Sequence, residues 1–339
     1  MKKPLDFVAL GEVLMRLSPA NNERFLQGKT FIRHIGGAEL NVAAVVAQLG
    51  LRAGVISKLP ANDMGGYARN RIRSTGVKDD CLVYDEEKDA RLGVYYYETA
   101  ASPRKPRVVY DRAHSSFCKL RMEDFDDSMY SARCFHTSGI TLALGEEVRE
   151  QAVAMMKKFK EHKALVSFDV NFRGNLWTGD EARECIEKIL PYVDIFFCSE
   201  STARLTFKKE GSLEEMMKSF AREYPISVIA ATQRTVHSPR KHSFGSLLYS
   251  AKDQKFYQEE PYKDIEIVDR IGSGDAYVGG VLYALLSDGE NYQRAVEYGN
   301  AASAAKNTVE GDLSIISLEE ADAMIAAHKD SGEQLEMSR

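Results

Sequence analysis

The sequence lacks long apolar runs, an excess of basic residues and closely paired cysteines. None of its apolar stretches is long enough to span a bilayer, and the first is interrupted by Glu12 and Arg16 too early for a signal peptide. The net charge of −5 comes from interspersed charges, which argues against nucleic acid as the main partner. We therefore expect a cytoplasmic protein with no membrane and no nucleic-acid partner.

The five cysteines are scattered, with no CxxC pair and no histidine cluster beside them. Cysteines of disulfide frameworks and zinc sites have characteristic spacings, so this distribution predicts reduced and mostly buried thiols. The five residues are Cys81, Cys118, Cys134, Cys185 and Cys198.

Strand-like and helix-like patterns alternate along most of the chain. Residues 7–11 form a continuous apolar run closed by glycine, which is typical of a buried parallel strand, and regular alternation follows from about residue 134. This order predicts an α/β fold with a doubly wound, mostly parallel sheet and helices on both faces. Ligands of such sheets bind beyond the carboxyl ends of the strands.

Two groups of shorter strands, at about 13–33 and 91–112, do not fit into that sheet because their polar and apolar residues alternate. They predict a small β-sheet lid attached to the main domain. We therefore expect one domain over residues 1–328, followed by a polar C-terminal tail at 329–339.

A glycine-rich segment opens a helical pattern near the C-terminus. Gly272, Ser273 and Gly274 are followed at once by Asp275. The first turn of a helix leaves backbone N–H groups without partners and carries a partial positive charge, so it favours a phosphate, which glycines allow to come close. Asp275 would then accept a proton from a hydroxyl that attacks the phosphorus. The simpler interpretation is a tight turn in which Asp275 caps the helix.

A second polar group lies at the end of a strand predicted over 165–171. Asp169, Asn171 and Arg173 are two residues apart, so in a strand their side chains would point to one side, as at the rim of a ligand site. A salt bridge combined with a turn-forming asparagine explains the same pattern.

Two further features suit ligand contact. Gly36 and Gly37 precede a second helix start that carries Asn41, which allows either a ligand or a packed helix to approach the backbone closely. Arg112 ends a strand of the predicted lid, where it either reaches a ligand or pairs with Asp111 in solvent.

The two glycine segments together resemble the paired signatures of the PfkB, or ribokinase-like, carbohydrate kinases. The signatures read Gly36-Gly37-Ala38-x-x-Asn41-x-Ala43 and Asp269-x-x-Gly272-Ser273-Gly274-Asp275, and the likeness covers about residues 5–328. It implies a ribokinase-like fold, ATP as the phosphoryl donor, a divalent cation such as Mg²⁺, and a homodimer formed through the lid. It also implies an anion hole from the amides of Gly272, Ser273 and Gly274, with Asp275 as the base. Activation by a monovalent cation is left open.

Within this family the sequence is most similar to the kinases of 2-keto-3-deoxygluconate, through residues 37–39, 110–112, 136–140 and 169–173. The resemblance implies that Tyr110, Arg112 and Arg173 hold the substrate carboxylate. Two guanidinium groups can bind a carboxylate bidentately, whereas a neutral sugar needs no such pair. The other implied sugar contacts are Gly36, Gly37, Asn41, Tyr95 and Asn171.

The sequence departs from the family pattern where the nucleotide and metal would bind. The family's Asn-x-x-Glu motif is replaced by Ser199-Glu200-Ser201-Thr202, so either Glu200 takes its place or the metal depends on Asp169, in both cases through water. The Thr-x-Gly start of the nucleotide loop reads Thr232-Gln233-Arg234, so either the arginine meets a phosphate or the loop is built differently. The implied ATP contacts are Ser199, Thr232, Arg234, Gly272, Gly274 and Asn300.

These patterns predict an ATP-dependent kinase that converts 2-keto-3-deoxy-D-gluconate to its 6-phosphate. One alternative is a fructokinase or another neutral-sugar kinase of the same family. The other, suggested by the missing Asn-x-x-Glu motif, is a sugar- or nucleotide-binding regulator that has lost catalysis. The intact Asp275 and its glycines favour a kinase.

Overall fold

The computed structural model describes residues 5–330. Its strands are β1 Phe7–Leu10, β2 Leu14–Pro19, β3 Phe31–Gly36, β4 Ala53–Pro60, β5 Leu82–Asp85, β6 Gly93–Glu98, β7 Arg107–Asp111, β8 Cys134–Ser138, β9 Leu165–Asp169, β10 Ile195–Phe197, β11 Val228–Ser238, β12 Lys241–Ser250, β13 Lys255–Tyr257 and β14 Tyr262–Glu266. Its α-helices are α1 Ala38–Gln48, α2 Asp63–Ser74, α3 Gly139–Leu142, α4 Glu146–Glu161, α5 Gly179–Ile189, α6 Glu200–Leu205, α7 Leu213–Glu223, α8 Ser273–Ser287, α9 Tyr292–Asn307 and α10 Leu318–Lys329.

Ten of the described strands form one sheet, in the order β13-β12-β11-β10-β9-β8-β1-β4-β5, with β14 also paired to β12. The strands from β11 to β5 are parallel to their neighbours. At one end β12 runs antiparallel to β11, β13 and β14.

The order of the parallel strands reverses at β1. The chain first moves from β1 to β4 and β5 on one side, then returns to β8 on the other side and continues to β9, β10 and β11. In open α/β sheets, ligands bind in the crevice beyond the carboxyl ends of the strands at such a switch point.

Helices cover both faces of this sheet. One face packs against α1, α8 and α9, whose buried side chains include Val45, Val281 and Val296. The other packs against α4, α5 and α7, through side chains that include Phe159 and Ile186. Local sequence sets the helix starts: α5 and α7 each begin with a reciprocal capping box, in which a hydroxyl residue and a glutamate three positions later bond each other's backbone N–H groups.

Four strands form a separate small sheet, in the order β3-β2-β6-β7. The β2–β6 pair is parallel and the other two pairs are antiparallel. Leu14, Tyr95 and Tyr97 from this sheet are buried and pack with Ile271. The small sheet therefore lies against the segment that leads into α8, while β7 is exposed along its length.

The predicted doubly wound α/β sheet and the small second sheet are confirmed, with one local difference. The strand expected over 165–171 ends at Asp169, because Asn171 has a φ of 39°, a left-handed conformation that a strand does not contain. Within residues 5–330 no helix combines the length and the apolar character needed to cross a membrane. The predicted tail lies outside the described residues from position 331 onward.

Candidate active site

A cavity of about 350 Å³ opens at the carboxyl ends of β9 and β10 and beside the first half of β11, where it also touches the start of α8. Because these three strands are parallel neighbours, residues far apart in the sequence meet at one edge of the sheet. The polar and glycine residues that line it are Asp169, Asn171, Arg173, Ser199, Ser201, Thr202, Thr232 and Gly274. Apart from Ser201 and Thr202, the sequence predicted each of these as a contact of the ligand or the metal.

The turn before α8 requires glycine at position 272, whereas position 274 has space for a side chain. Gly272 precedes the helix with a φ of 84°, and a Cβ there would lie 2.2 Å from the backbone oxygen of Asp312. A Cβ on Gly274 would meet no atom within 4 Å. Gly272 occupies the cap position and no side chain caps the helix, so Asp275 does not serve as the cap.

Asp275 lies in the first turn of α8, and amide side chains hold both of its carboxylate oxygens. Asn41 Nδ2 donates to Oδ2 at 2.7 Å, and Asn171 Nδ2 donates to Oδ1 at 3.4 Å. Burial raises the pKa of Asp275 above its ordinary value, whereas the bond from Asn41 and the charge of Arg173 act in the opposite direction. A carboxylate with a raised pKa suits a general base that works near neutral pH.

Asp169 ends β9 and lines the cavity. Its Oδ1 accepts the backbone N–H of Asn171 at 3.0 Å. Burial, followed by the charge of Asp275, raises the pKa of Asp169 to about 7. No cluster of three or more His, Cys, Asp or Glu side chains that could enclose a metal occurs in the described part of the chain.

Arg173 is exposed at the rim of the cavity. Its Nη1 donates to the backbone oxygens of Phe172 at 3.2 Å and Asn171 at 3.5 Å. These two neutral acceptors leave the positive charge of the guanidinium available to an anionic ligand.

Arg112 is positioned differently, because it pairs with the buried carboxylate of Glu12. Arg112 Nε donates to Glu12 Oε2 at 2.7 Å, and Nη2 donates to the same oxygen. Ser115 Oγ donates to the other oxygen of Glu12. The sequence offered Asp111 as the partner of Arg112, and the structure instead pairs Asp111 with Arg91 at 2.8 Å.

The two tyrosines predicted to contact the sugar lie together but differ in exposure. The rings of Tyr95 and Tyr110 are 5.8 Å apart, and Tyr110 is 40% exposed on β7. Tyr95 is buried, and its hydroxyl donates to Asp312 Oδ2. Arg16 Nη1, from the neighbouring strand β2, lies 3.1 Å from Asp312 Oδ1. Tyr95 is thus part of a buried polar network rather than a free side chain.

The first glycine pair, Gly36 and Gly37, borders the same region where β3 ends and α1 begins. A Cβ on Gly36 would lie 2.3 Å from Asp312 Oδ2, and a Cβ on Gly37 would lie 2.2 Å from the backbone oxygen of Glu12. Gly36 and Gly37 therefore let β3 and α1 approach two acidic residues closely, which is the packing role that the sequence left open.

The predicted nucleotide contacts are only partly brought together. Ser199 and Thr232 line the cavity, and Ser199 caps α6 by accepting the N–H of Thr202 at 3.2 Å. Arg234 is exposed farther along β11 and does not line the cavity. Asn300 is fully buried, and its Nδ2 donates to Glu259 Oε1 at 2.8 Å, so it is not accessible to a nucleotide.

Glu200, predicted as a metal contact, does not line the cavity either. It is exposed and pairs with Arg204 one helical turn later, at 3.0 Å. Ser201 and Thr202, from the same first turn of α6, do line the cavity. Of the two predicted metal contacts, only Asp169 lies in the cavity.

Three acidic residues that support the site were not found from the sequence. Glu39 is buried and accepts bonds from Ser138 Oγ at 2.6 Å and Thr141 Oγ1 at 2.7 Å, which fixes the start of the helix that carries Asn41. Burial raises the pKa of Glu39. Glu12 and Asp312 are the other two. Their partners are about 100 to 300 residues distant, so no local pattern marks them.

Comparison with known proteins identifies the class of enzyme. Residues 5–318 match the family described as pfkB family carbohydrate kinase. The chain therefore belongs to the PfkB family of carbohydrate kinases. The ribokinase-like fold that the two signatures implied is confirmed.

Individual relatives are similar over nearly the whole chain. A 2-dehydro-3-deoxygalactonokinase of Haloferax volcanii is 32% identical over 321 residues, which are 94% of this chain and 96% of that protein. The crystal structure of a 2-dehydro-3-deoxygluconokinase from Thermotoga maritima is 34% identical with a TM-score of 0.89, and covers 95% of this chain and 99% of its own. A 5-dehydro-2-deoxygluconokinase of Bacillus licheniformis is 26% identical over 308 residues, 89% of this chain and 90% of that protein.

Proposed function

We propose that this carbohydrate kinase transfers the γ-phosphoryl group of ATP to the terminal hydroxyl of a 2-keto-3-deoxy sugar acid. The leading substrate is 2-keto-3-deoxy-D-gluconate, and the product is its 6-phosphate. The observation that carries the proposal is Asp275, held by Asn41 and Asn171 at the start of α8 beside a cavity rimmed by Arg173. The names of the two relatives above 30% identity support this substrate class.

In the proposed reaction the terminal hydroxyl oxygen attacks the γ-phosphorus while its proton passes to Asp275. The bond from the γ-phosphorus to the bridging oxygen breaks, and ADP leaves with that oxygen. Backbone N–H groups at the start of α8 stabilise the charge that develops on the transferred group. The N–H of Ser273 already donates to the backbone oxygen of Arg270 at 3.3 Å, so the anion hole depends mainly on Gly272 and Gly274.

The carboxylate end of the substrate is assigned to Arg173 and Arg112. Glu12 accepts from Nε and Nη2 of Arg112, which leaves the two N–H groups of Nη1 for a ligand. Glu12 would then hold the orientation of the guanidinium rather than block it. Glu12 neutralises the charge of Arg112. Arg173 bonds to neutral backbone oxygens, so its positive charge is the one available to the substrate carboxylate.

The oxygen ligands that the cavity offers fit a Mg²⁺ ion that is bound mainly by the phosphate oxygens of the nucleotide. Mg²⁺ in kinase sites usually keeps several waters and takes one or two carboxylates in addition to phosphate oxygens. Asp169 provides such a carboxylate. Burial and then the charge of Asp275 raise its pKa to about 7, and a bound cation would favour its charged form. When bound, the metal would neutralise charge on the phosphates. Ser199 and Thr232 lie at the same edge and provide hydroxyl groups for the phosphate chain.

A coupled ADP-release assay with ATP and Mg²⁺ tests this function. The panel contains 2-keto-3-deoxygluconate, its C4 epimer 2-keto-3-deoxygalactonate, fructose and ribose. The epimer is included because one relative is named for the galactonate form. We expect the keto-deoxy acids to be strongly preferred, and Asp275→Asn to lower kcat by about 10²-fold or more with the KM for ATP little changed.

Other outcomes would select the alternatives. Preference for fructose would leave Asp275 as the base but remove the carboxylate role of Arg112 and Arg173. Near-native turnover by Asp275→Asn would refute the assignment of the base. Binding of ATP or sugar without turnover on any substrate would favour a regulator that has lost catalysis.

We also propose that residues 1–328 act as one domain whose small sheet closes over the sugar, and that two chains associate through this sheet. Its strands β3 and β7 expose Phe31, Ile32, Val108 and Val109, which are 38–48% exposed and would be covered by a second copy. Sedimentation equilibrium of the wild type and of Val109→Glu tests this. A monomeric wild type would contradict the proposal, and a dimer that Val109→Glu does not weaken would place the interface elsewhere.

A further inference from the structure

Lys306 is fully buried in the last turn of α9, although lysine is almost never fully buried unless it is paired. Its Nζ donates to the backbone oxygens of Asp269 and Val309, each at 3.2 Å. Asp269 starts the segment that leads to Gly272, and Val309 starts the loop that leads to Asp312. The ammonium group thus joins the two loops that meet at the turn before α8.

These loops are held together by further bonds. The carboxylate of Asp269 accepts the backbone N–H groups of Ile271 and Gly311, both at 3.1 Å. The backbone oxygen of Asp312 lies so close to Gly272 that no side chain fits between them. The position of Gly272, and with it the start of α8, therefore depends on how the loop from Val309 to Asp312 is held.

Lys306 lies in a cluster of buried charged side chains. Arg16 Nη1 lies 2.6 Å from Asp269 Oδ2 and 3.1 Å from Asp312 Oδ1, and all of these side chains are buried. Burial lowers the pKa of Lys306, and the charges of Asp269 and Asp312 oppose that change. Two buried cations thus face two buried carboxylates. Loss of Lys306 would leave one negative charge uncompensated beneath a loop that has to bind phosphate.

We propose that Lys306 is a positioning residue for the anion hole, and that its ammonium group acts as a built-in monovalent cation between the carbonyl oxygens of Asp269 and Val309. Backbone carbonyl oxygens also coordinate K⁺, so a free cation could occupy the position between these two oxygens if the side chain were removed. The wild-type enzyme then needs no added monovalent cation for activity, a property that the sequence alone left open. The catalytic part of this inference rests on the proposed function of the turn before α8.

The experiment compares wild type, Lys306→Ala and Lys306→Met in buffers that contain choline, Na⁺, K⁺ or NH₄⁺ at equal ionic strength. Lys306→Ala leaves space for a free cation, whereas Lys306→Met fills that space without a charge. Lys160→Ala is the matched control, because Lys160 also binds a partly buried carboxylate, that of Asp194 at 2.6 Å, but lies on α4.

We expect the kcat of the wild type and of Lys160→Ala to vary by less than about twofold among the cations. In choline, the kcat of Lys306→Ala should fall by about tenfold or more, and NH₄⁺ or K⁺ should restore most of it, with a smaller change in the KM for the sugar. Lys306→Met should lose activity without recovery. A role that is only structural would not respond to the identity of the cation.

Thermal unfolding gives a readout that does not depend on turnover. A cation that binds only the folded protein raises the melting temperature, so NH₄⁺ or K⁺ should raise it for Lys306→Ala but not for the wild type or Lys306→Met. If no sugar is turned over by the wild type, the proposed function fails, while this shift still supports the cation site.

Three results would overturn the inference. The first is a kcat of Lys306→Ala in choline equal to that of the wild type. The second is loss of activity with no recovery and no cation-dependent shift in melting temperature. The third, which applies even if the variants do not fold, is activation of the wild type by K⁺ or NH₄⁺ by about tenfold.

Discussion

The buried Glu12 pairs with the partly buried Arg112, and its carboxylate binds two nitrogens of the guanidinium. Glu12 follows the first strand of the main sheet, whereas Arg112 follows the last strand of the small sheet. The pair therefore connects the two sheets on the side where the sugar is proposed to bind. Because Arg112 is already neutralised, the two arginines assigned to the substrate carboxylate should contribute unequally.

Removal of Arg173 should affect the sugar acid selectively. A hydrogen bond to a charged group contributes about 1.5–3 kcal/mol, so Arg173→Ala should raise the KM for 2-keto-3-deoxygluconate by about 10- to 100-fold. The KM for any neutral sugar that the enzyme accepts should change little. Steady-state kinetics of the variant with both substrate types provide the measurement.

The matched control for Arg173→Ala is Arg204→Ala. Arg204 lies near the same edge of the sheet, but it is exposed and pairs with Glu200. We expect wild-type kinetics from it. An equal rise in KM for acidic and neutral sugars in Arg173→Ala would show that Arg173 supports the fold of the rim rather than the carboxylate.

Sequence patterns were sufficient for the architecture and for the residues at the strand ends. The apolar run at residues 7–11 and the strand–helix alternation specify a parallel sheet, and topology then brings Asp169, Ser199 and Thr232 to one edge. The expectation that Asn171 faces the ligand rested on a strand over 165–171, but the strand ends at Asp169. Asn171 reaches Asp275 from a left-handed turn beyond the strand.

What the sequence did not reveal is how the site residues are paired. Tyr95 with Asp312, Arg112 with Glu12, and Asn300 with Glu259 are contacts between residues 41 to 217 positions apart. Such pairs depend on the packing of whole elements, and nothing in the neighbouring sequence marks them. The resemblance indicated which residue types to expect, but it could not show that buried partners already occupy several of them.

The two glycines that flank Ser273 should respond differently to alanine. Gly272→Ala places a Cβ 2.2 Å from the oxygen of Asp312 on a backbone with φ of 84°, so the turn has to shift. The left-handed conformation alone costs roughly 1–2 kcal/mol for a residue with a Cβ. We expect a lower melting temperature and a kcat reduced by about 10²-fold, since the anion hole moves with the turn.

Gly274→Ala is the comparison, because its Cβ would meet no atom within 4 Å. It should keep the wild-type melting temperature. Because the residue lines the cavity, the added methyl group should raise the KM for ATP. If Gly272→Ala behaved like Gly274→Ala in both respects, the close contact with Asp312 would not determine the position of the turn.

The acidic limb of the pH profile should report the state of Asp275. Since burial raises its pKa, kcat/KM should fall with decreasing pH at values above the ordinary aspartate range, as the base becomes protonated. The bond from Asn41 stabilises the carboxylate form. Asn41→Leu should therefore raise the pKa further and move the acidic limb to higher pH.

Asn171→Leu provides a graded comparison for this pH effect. Its bond to Asp275 is longer, 3.4 Å compared with 2.7 Å for Asn41, so its shift of the acidic limb should be smaller. An acidic limb that stays in place in both variants would mean that another group, or a step other than proton transfer, controls it.

His136 predicts a pH dependence of stability that is independent of catalysis. It is buried on β8, its Nδ1 lies 3.0 Å from Ser167 Oγ, and burial lowers its pKa to about 3. In the unfolded chain a histidine has a pKa of about 6.5, so between these values the unfolded state binds more protons. The stabilisation is thus complete above about pH 6.5 and is lost as the pH falls towards about 3.

Between about pH 7 and about pH 5 the free energy of unfolding should decrease by about 2 kcal/mol through this residue alone. His136→Gln has no titrating ring and should lose that much less over the same interval, as measured by urea unfolding at both pH values. His162→Gln is the control, because His162 is exposed after α4 and should leave the wild-type dependence unchanged. An equal loss of stability on acidification in His136→Gln and the wild type would contradict this prediction. It would mean that His136 is protonated in the folded protein although it is buried.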